Sequence, residues 1–270
     1  SPGNRLRGAR IVLEFPSHTT TDNLMMAAVL AKGTTVIENA AREPEVSDLA
    51  AYLDRMGARI EGAGTSRIEI EGVDELVPTS HTVIPDRVEA STFLSAVAIA
   101  GGEITLKGAR YDHLDMLIEK MGEMGVRISP AQGGLWAYSS GHLQSTDVVT
   151  LPYPGVATDY KPFVVTMLSV AEGVGIVSEN LFSGRFRYVD ELRRMGADVR
   201  TEGHHAVVRG VRKLSGTIVR ATDIRAGAAL VLAGMVAEGE TIVSGAEHID
   251  RGYENFAGKL VALGAEIERR

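Results

Sequence analysis

The chain reads as an α/β fold made by repeating one βαβαββ unit, with apolar helices buried side by side inside a shell of sheet. Three observations predict this. A string of apolar residue, glycine, short spacer and apolar residue recurs four times: Met56-Gly57-Ala58-Arg59-Ile60, Met124-Gly125-Val126-Arg127-Ile128, Met195-Gly196-Ala197-Asp198-Val199 and Leu263-Gly264-Ala265-Glu266-Ile267. Its glycines are 68, 71 and 68 residues apart, too far for a solenoid repeat and right for a small α/β unit. A second marker (Lys32-Gly33, Gly101-Gly102, Glu172-Gly173, Glu238-Gly239) precedes each closing glycine by 23 to 25 residues. Finally, each copy holds a helical segment with almost no charge, and a helix apolar all round is a buried helix.

Each copy opens with a short β-branched strand: Ile11–Leu13, Thr82–Ile84, Val148–Leu151 and Thr217–Val219. The apolar helix follows, over 22–31, 90–100, 162–171 and 226–237, rich in the Ala, Gly and Ser that let backbones approach closely. After the second marker come another strand (TTVIEN, EITLKG, GIVSEN, ETIVSG) and an amphipathic helix, as in Asp48–Arg55 and Asp190–Arg194. Two strands joined by a tight turn close the unit. Glu61-Gly62-Ala63-Gly64 belongs to such a hairpin; no third glycine follows to make a dinucleotide fingerprint. Parallel strands joined by a helix require right-handed crossovers, so the copies should wind alike and aim their first helices at a common region. Helix N-termini attract anions, which makes that region a natural phosphate or carboxylate site.

Composition narrows the chemistry. The 270 residues are 44% hydrophobic and 5% aromatic, with net charge −7 and 28 scattered basic residues, so an extended nucleic-acid surface is not indicated. A few converging arginines can still serve an anionic small molecule. The absence of cysteine excludes a disulfide, a thiol nucleophile and Cys-ligated metal within these residues. No His/Asp/Glu set has metal spacing and no Ser/His/Asp relay is evident. His204-His205 read as a turn, His248 as orienting its loop and Trp136 as packing. Residues 1–10 do not read as a signal peptide and no run of about 18 apolar residues spans a membrane, so a cytoplasmic location is expected.

Function should lie where the copies differ. The junctions between first strand and first helix read Ser17-His18-Thr19-Thr20-Thr21, Asp86-Arg87-Val88-Glu89, Thr158-Asp159-Tyr160-Lys161 and Thr222-Asp223-Ile224-Arg225. Ser and Asp there are ordinary helix caps. A cation in the same turn opposes the macrodipole, so Arg87, Lys161 and Arg225 serve either an anion or a neighbouring acid. The loops before the second helix read Arg42-Glu43-Pro44-Glu45, Ser183-Gly184-Arg185-Phe186-Arg187 and His248-Ile249-Asp250-Arg251-Gly252-Tyr253-Glu254. Arg185, Arg225 and Arg251 fall on equivalent lips of the array. They suit a ligand carrying phosphate and carboxylate, which guanidinium binds bidentately; local salt bridges are the other reading.

The segments GTTVIENAAREPEVSDL (33–49), PDRVEASTFL (85–94), ATDIRAGAALVLAG (221–234) and HIDRGYE (248–254) closely resemble the enolpyruvyl transferase family, in its UDP-N-acetylglucosamine 1-carboxyvinyltransferase branch. The resemblance covers essentially the whole chain. It implies an inside-out α/β barrel of six βαβαββ units in two domains with the active site in their cleft. Residues 1–80 would be the last unit of one domain and 81–270 the three units of the other. It implies transfer of the enolpyruvyl group of phosphoenolpyruvate to the sugar 3-hydroxyl of UDP-N-acetylglucosamine, releasing phosphate, as the first committed step of peptidoglycan synthesis. No cofactor or metal is called for, and the partners are phosphoenolpyruvate and a UDP-sugar or related nucleotide, not nucleic acid or membrane. By motif, Asp159 matches the acid proposed as general base toward the acceptor hydroxyl, and Asp223 an acid assisting proton transfer around the tetrahedral intermediate. Arg185 and Arg225 match arginines of the phosphoenolpyruvate cleft, and Arg251 the one near its phosphate. Ser17, His18, Thr19, Glu43 and Asp86 fall at substrate-binding positions.

Three departures accompany the resemblance. The family's N-terminal part, with a Lys-Asn pair and a flexible loop, does not precede Ser1, so this chain by itself is expected to be incomplete and to turn over weakly or not at all. The nucleotide-contacting stretch usually reads Ser-Val-Gly-Ala-Thr, against Ser17-His18-Thr19-Thr20-Thr21 here. A frequent Glu two residues before the GRF arginine is Ser183. The last two fit a paralogue acting on another nucleotide acceptor, as in nucleoside-antibiotic pathways. A non-catalytic anion-binding module is the alternative of a different class, because the same unit also builds RNA 3′-phosphate cyclases and translation-factor domains.

Overall fold

The closing glycines are helix stops in all four copies. In the computed structural model, which describes residues 5–182 and 185–269, Gly57, Gly125, Gly196 and Gly264 have φ of 100°, 96°, 90° and 103°. Each follows the last turn of a helix. The N–H of Gly57 reaches Asp54 O and that of Ala58 reaches Leu53 O, and the same pair of bonds recurs at Gly125 and Val126, Gly196 and Ala197, and Gly264 and Ala265. This is the Schellman arrangement, and its left-handed residue favours glycine because no Cβ is present to clash. The residues that receive the longer bond, Leu53, Met121, Leu192 and Leu260, are all buried, so each stop also anchors its helix to the core.

The chain divides into two units: Ser1–Pro85 with Pro152–Pro154, and Asp86–Leu151 with Gly155–Arg270. Unit 1 is one complete copy: β1 (Arg10–Val12), α1 (His18–Ala28), β2 (Thr34–Glu38), α2 (Pro44–Arg55), β3 (Arg59–Glu61) and β4 (Arg67–Glu71). Its sheet runs β1-β2-β4-β3, with β1 parallel to β2 and the other pairs antiparallel. The register sets Ile37 opposite Ile68 and Thr35 opposite Ile70, and these residues join Met25, Val46 and Leu53 in the core of the unit.

Unit 2 holds the other three copies. The first contributes α3 (Arg87–Ala100), β5 (Gly102–Lys107), α4 (Asp115–Glu123), β6 (Arg127–Ala131) and β7 (Gly134–Ser139). Next come β8 (Val148–Thr150), α5 (Lys161–Ser169), β9 (Val174–Glu179), α6 (Tyr188–Arg194), β10 (Asp198–Glu202) and β11 (His205–Arg209). The last contributes β12 (Ile218–Arg220), α7 (Ile224–Met235), β13 (Ile242–Ser244), α8 (Glu247–Asp250) and α9 (Phe256–Ala262). Their sheets run β5-β7-β6, β10-β11-β9-β8 and β12-β13, and β8–β9 and β12–β13 are parallel. Helices α3, α5 and α7 pack against one another. All nine residues of α5 and twelve of the fourteen in α3 are buried; the stretches beyond their first turns carry no charge, and Lys161 and Arg87 at their starts are buried as well. The architecture is thus mixed α/β with its least polar helices innermost.

Two expected strands are not formed. Thr82–Ile84 carry no regular structure and Val83 is 73% exposed. That stretch is spent on the passage from one unit to the next, and β5, which would receive it, pairs with β7 alone. The closing hairpin of the fourth copy is also missing among the described residues. In the other copies β3, β6 and β10 each pair only with the strand that follows them, and residues 265–269 carry no regular structure. No helix among the described residues is long and apolar enough to cross a membrane.

Candidate active site

Side chains in unit 2 join the starts of its three buried helices in pairs. Arg87, the first residue of α3, is buried and donates through Nη1 to the Tyr160 hydroxyl at 3.1 Å. Thr92 on α3 shares a 2.7 Å hydrogen bond with the Tyr253 hydroxyl, and the Arg225 guanidinium at the start of α7 lies 5.2 Å over the Tyr253 ring. The charge of Asp223 acts on Lys161 and on Tyr188. The helix N-termini therefore do meet in one region of this unit.

At its edge, Asp159 and Arg185 come together from separate segments. Asp159 lies in the 3₁₀ turn Thr158–Tyr160, and its Oδ1 is 3.2 Å from Nη2 of Arg185, in the loop after β9. Both are part-exposed, at 39% and 46%. Arg185 also donates to Thr158 Oγ1 at 3.3 Å and lies 5.4 Å over the Phe182 ring. Ser183 lies outside the described residues, so its departure from the family pattern has no structural account.

Beneath this pair is a buried one that the sequence only half disclosed. Lys161 Nζ lies 2.7 Å from Glu179 Oε2, with side-chain exposures of 1% and 0%. Of the two partners open to Lys161, an anion or a neighbouring acid, the acid is present. Glu179 also accepts from the Thr150 and Thr158 hydroxyls and from the backbone N–H of Leu181 and Phe182. Burial alone would raise its pKa, but the Lys161 ammonium and these donors hold it at about 2. Burial pulls Lys161 in the other direction, below its ordinary value, against the raising effect of Glu179. The carboxylate dominates the pair: with four donors besides the ammonium it stays ionised, and it offers Lys161 a fixed counter-charge. Nothing in the string GIVSEN marked Glu179; its signal is an acid closing a strand just before a site loop.

Asp86 and Asp223 act as caps. Asp86 Oδ1 accepts from the N–H of Val88 and Glu89, and Asp223 Oδ1 from those of Arg225 and Ala226. Arg225 Nη1 and the Tyr188 hydroxyl are buried without a hydrogen-bond partner. Burial, reinforced by Glu179 and Asp223, pushes the Tyr188 hydroxyl well above its ordinary value, so it stays protonated as a donor. Orphaned buried donors mark where a ligand or ordered water would sit. Arg225 Nη1 is 3.6 Å from where a Cβ on Gly252 would lie, so Arg225 rests against the loop carrying the exposed Arg251. A part-exposed carboxylate with a guanidinium beside it can take a proton from a hydroxyl and hold an anionic ligand, and Arg225 keeps Nη1 free of hydrogen-bond partners in the protein.

Unit 1 gathers a different set. Ser17 caps α1, accepting from Thr20 N at 3.4 Å, while the Thr21 hydroxyl donates to Ser17 O and accepts from Ala41 N, tying the turn to the loop before α2. His18 Nε2 lies 3.1 Å from Asp22 Oδ2. That hydrogen bond raises the His18 pKa against partial burial, with Asp22, Glu43 and Glu45 adding attraction. Glu43 Oε2 is buried without a hydrogen-bond partner, and Thr19 is exposed with its carbonyl accepting from Asn23. The structure thus groups Ser17, His18, Thr19 and Glu43 in unit 1, and Asp159, Arg185, Asp223, Arg225 and Arg251 with Asp86 in unit 2.

A cavity of about 1270 Å³ in unit 2 is not this site. It is lined by α3, α7, β13 and α9 through residues such as Phe93, Val97, Ile242 and Leu260, and none of the candidate residues borders it. It adjoins the two-stranded sheet of the fourth copy, where the shell is thinnest.

Residues 2–260 match the family model described as EPSP synthase (3-phosphoshikimate 1-carboxyvinyltransferase). The UDP-N-acetylglucosamine 1-carboxyvinyltransferase of Thermodesulfovibrio yellowstonii is 51% identical over 267 residues, covering 98% of this chain and 64% of that protein. UDP-N-acetylglucosamine 1-carboxyvinyltransferase 1 of Symbiobacterium thermophilum is 52% identical over 265 residues, covering 98% and 60%. The chain therefore spans less than two thirds of the length of these relatives. The crystal structure of the enolpyruvyl transferase NikO from Streptomyces tendae superimposes with a TM-score of 0.89 at 27% identity, covering 98% of this chain and 66% of NikO. EPSP synthase from Acinetobacter baumannii, at 21% identity and TM-score 0.75 over 99% of this chain and 65% of its own, shares the fold.

Proposed function

Because the chain belongs to the EPSP synthase (3-phosphoshikimate 1-carboxyvinyltransferase) family, we propose that it works as an enolpyruvyl transferase, moving the enolpyruvyl group of phosphoenolpyruvate to the 3-hydroxyl of UDP-N-acetylglucosamine with release of phosphate. The observation that carries this reading is the Asp159–Arg185 pair at 3.2 Å. Asp159 takes the hydroxyl proton as the sugar oxygen adds to C2 of phosphoenolpyruvate and a proton is delivered to C3. The tetrahedral adduct then loses phosphate from C2 and a proton from C3, which restores the double bond; Asp223 assists these proton transfers. Arg185 and Arg225 hold the phosphoenolpyruvate, and Arg251 stands near its phosphate, where fixed cations stabilise the developing charge. Ser17, His18, Thr19, Glu43 and Asp86 bind substrate. In this reading the reaction is cytoplasmic and is the first committed step of peptidoglycan synthesis. In the same reading residues 81–270 close as a three-unit inside-out α/β barrel and residues 1–80 are the last unit of the other domain; the mutual packing of α3, α5 and α7 supports the first part.

The test is phosphate release from phosphoenolpyruvate with UDP-N-acetylglucosamine by the full gene product, lost in Asp159→Ala. A second reading, a paralogue using another nucleotide acceptor, draws on the His18–Asp22 pair within the stretch that departs from the family pattern. Phosphate release with a different nucleotide, and none with UDP-N-acetylglucosamine, would establish it.

A further inference from the structure

We propose that the buried Lys161–Glu179 pair is a positioning device that fastens the segment bearing Asp159 to the segment bearing Arg185. It rests on the functional reading only for what those two residues do, not for how they are held.

The part-exposed Asp159–Arg185 contact does not fix its own geometry, since exposed ion pairs contribute about 1 kcal/mol at most. The hold lies below. Glu179 ends β9, and its Oε1 accepts from Leu181 N, Phe182 N and Thr150 Oγ1, so it shapes the first turn of the Arg185 loop. Its Oε2 accepts from Thr158 Oγ1 at 2.6 Å and faces Lys161, so it also grips the Asp159 turn. Thr158 Oγ1 in turn accepts from Arg185 Nη1. Lys161 stands two residues after Asp159, and its ammonium lies 4.2 Å over the ring of Phe186, the neighbour of Arg185. Each member of the pair therefore touches both segments.

A charged pair suits this place for its geometry more than for its energy. Replacing a buried ion pair by apolar residues is often neutral or stabilising, whereas removing one partner strands a buried charge. The four lone-pair sites of a carboxylate match the four donors from Thr150, Thr158, Leu181 and Phe182, with the Lys161 ammonium as counter-charge; a glutamine would turn N–H groups toward donors.

The experiment compares Lys161→Met, the double variant Lys161→Met/Glu179→Leu and Thr158→Val in the full gene product. Its readouts are the thermal midpoint, amide exchange over the Thr158–Tyr160 turn and Leu181–Phe182, and kcat and KM in phosphate release. Lys161→Met should lower the midpoint and speed exchange in both segments. The double variant should recover the midpoint while exchange stays fast and kcat stays about 100-fold low, the size of loss expected from misplaced reacting groups. Thr158→Val leaves both charges in place and cuts only the hydroxyl link, so it should lower kcat by about tenfold, one hydrogen bond's worth, and lower the midpoint less than Lys161→Met does. Parental kcat in the double variant or in Thr158→Val, or faster exchange in only one segment, overturns the proposal. If the parent protein releases no phosphate with any nucleotide acceptor, the functional reading fails, and the exchange data alone decide this one.

Discussion

Unit 1 and unit 2 are built from the same βαβαββ copy, yet the first helix has a different fate in each. In unit 2, α5 buries every residue and packs against α3 and α7. In unit 1, α1 buries only Thr21, Met25 and Ala28, and Met26 is 47% exposed. Within this chain α1 therefore keeps an exposed face that α5 does not have.

The strongest way to break this comparison is to remove the same kind of side chain from both helices. Phe163, on α5, is 1% exposed. Phe163→Ala should cost about 3–5 kcal/mol in denaturant unfolding, because a cavity is left in a core that cannot collapse around it. In the 270-residue chain by itself, Met26→Ala on α1 should change stability by less than about 0.5 kcal/mol, as for an ordinary surface substitution. Equal losses at the two sites would mean that α1 is as tightly packed as α5.

The second comparison is chemical. Asp159→Asn in unit 2 should cut turnover by about 10²–10⁴-fold, the range for loss of a general base, with the thermal midpoint nearly unchanged because the side chain is part-exposed. Ser17→Ala in unit 1 should do the reverse. It removes a helix cap, about 1 kcal/mol of stability, and weakens acceptor binding while kcat changes little. Steady-state kinetics beside thermal melts separate the two, and a kcat collapse in Ser17→Ala would move the chemistry out of unit 2.

How much of this could be read in the sequence follows from what each signal depends on. The closing glycines were legible because a left-handed helix stop is a local demand of the backbone. The buried helices were legible because charge is absent from them beyond their first turns. Thr82–Ile84 misled because a β-branched run becomes a strand only where the chain lays it along an edge; the edge of β5 is open, but these residues are spent on the passage between units. In the site, Asp159 and Arg185 stood out by position in the copies. Whether Lys161 served a ligand or an acid stayed open, since its partner lies 18 residues on, at the end of the following strand, and no spacing rule links them.

Acid titration sharpens the difference between the units on a smaller scale. Glu179 has its pKa held at about 2, so its stabilising share is fully present above the ordinary carboxylate value near 4.5 and is lost as pH falls from there toward 2. The lowered value of Lys161 acts on the alkaline side and leaves this window to Glu179. Unit 2 should therefore hold its stability from pH 7 to about 5 and weaken below that. Glu179→Gln, though less stable at neutral pH, should flatten that limb in unfolding curves taken at successive pH values; an unchanged slope would show that other carboxylates cause it.

The smallest effect expected is in unit 1, and it falls near neutral pH. His18 is raised above its ordinary value of 6.5 by the hydrogen bond to Asp22, with Glu43 and Glu45 assisting. A raised histidine stabilises the fold below its unfolded pKa, and that contribution fades as pH rises through the folded value. The sign is thus opposite to that of Glu179. Partial exposure and the macrodipole at the start of α1 both keep the effect small, since a cation there opposes the field of the helix. In NMR titration Asp22→Asn should bring the His18 midpoint back down toward 6.5, and His18→Val should remove the pH dependence assigned to this corner. Under the proposed function the same proton places a positive charge beside Ser17 and Thr19, so affinity for an anionic nucleotide should fall as pH rises through the His18 midpoint. In His18→Val that decline should vanish while Asp159-dependent turnover remains, which would separate acceptor recognition in unit 1 from proton transfer in unit 2.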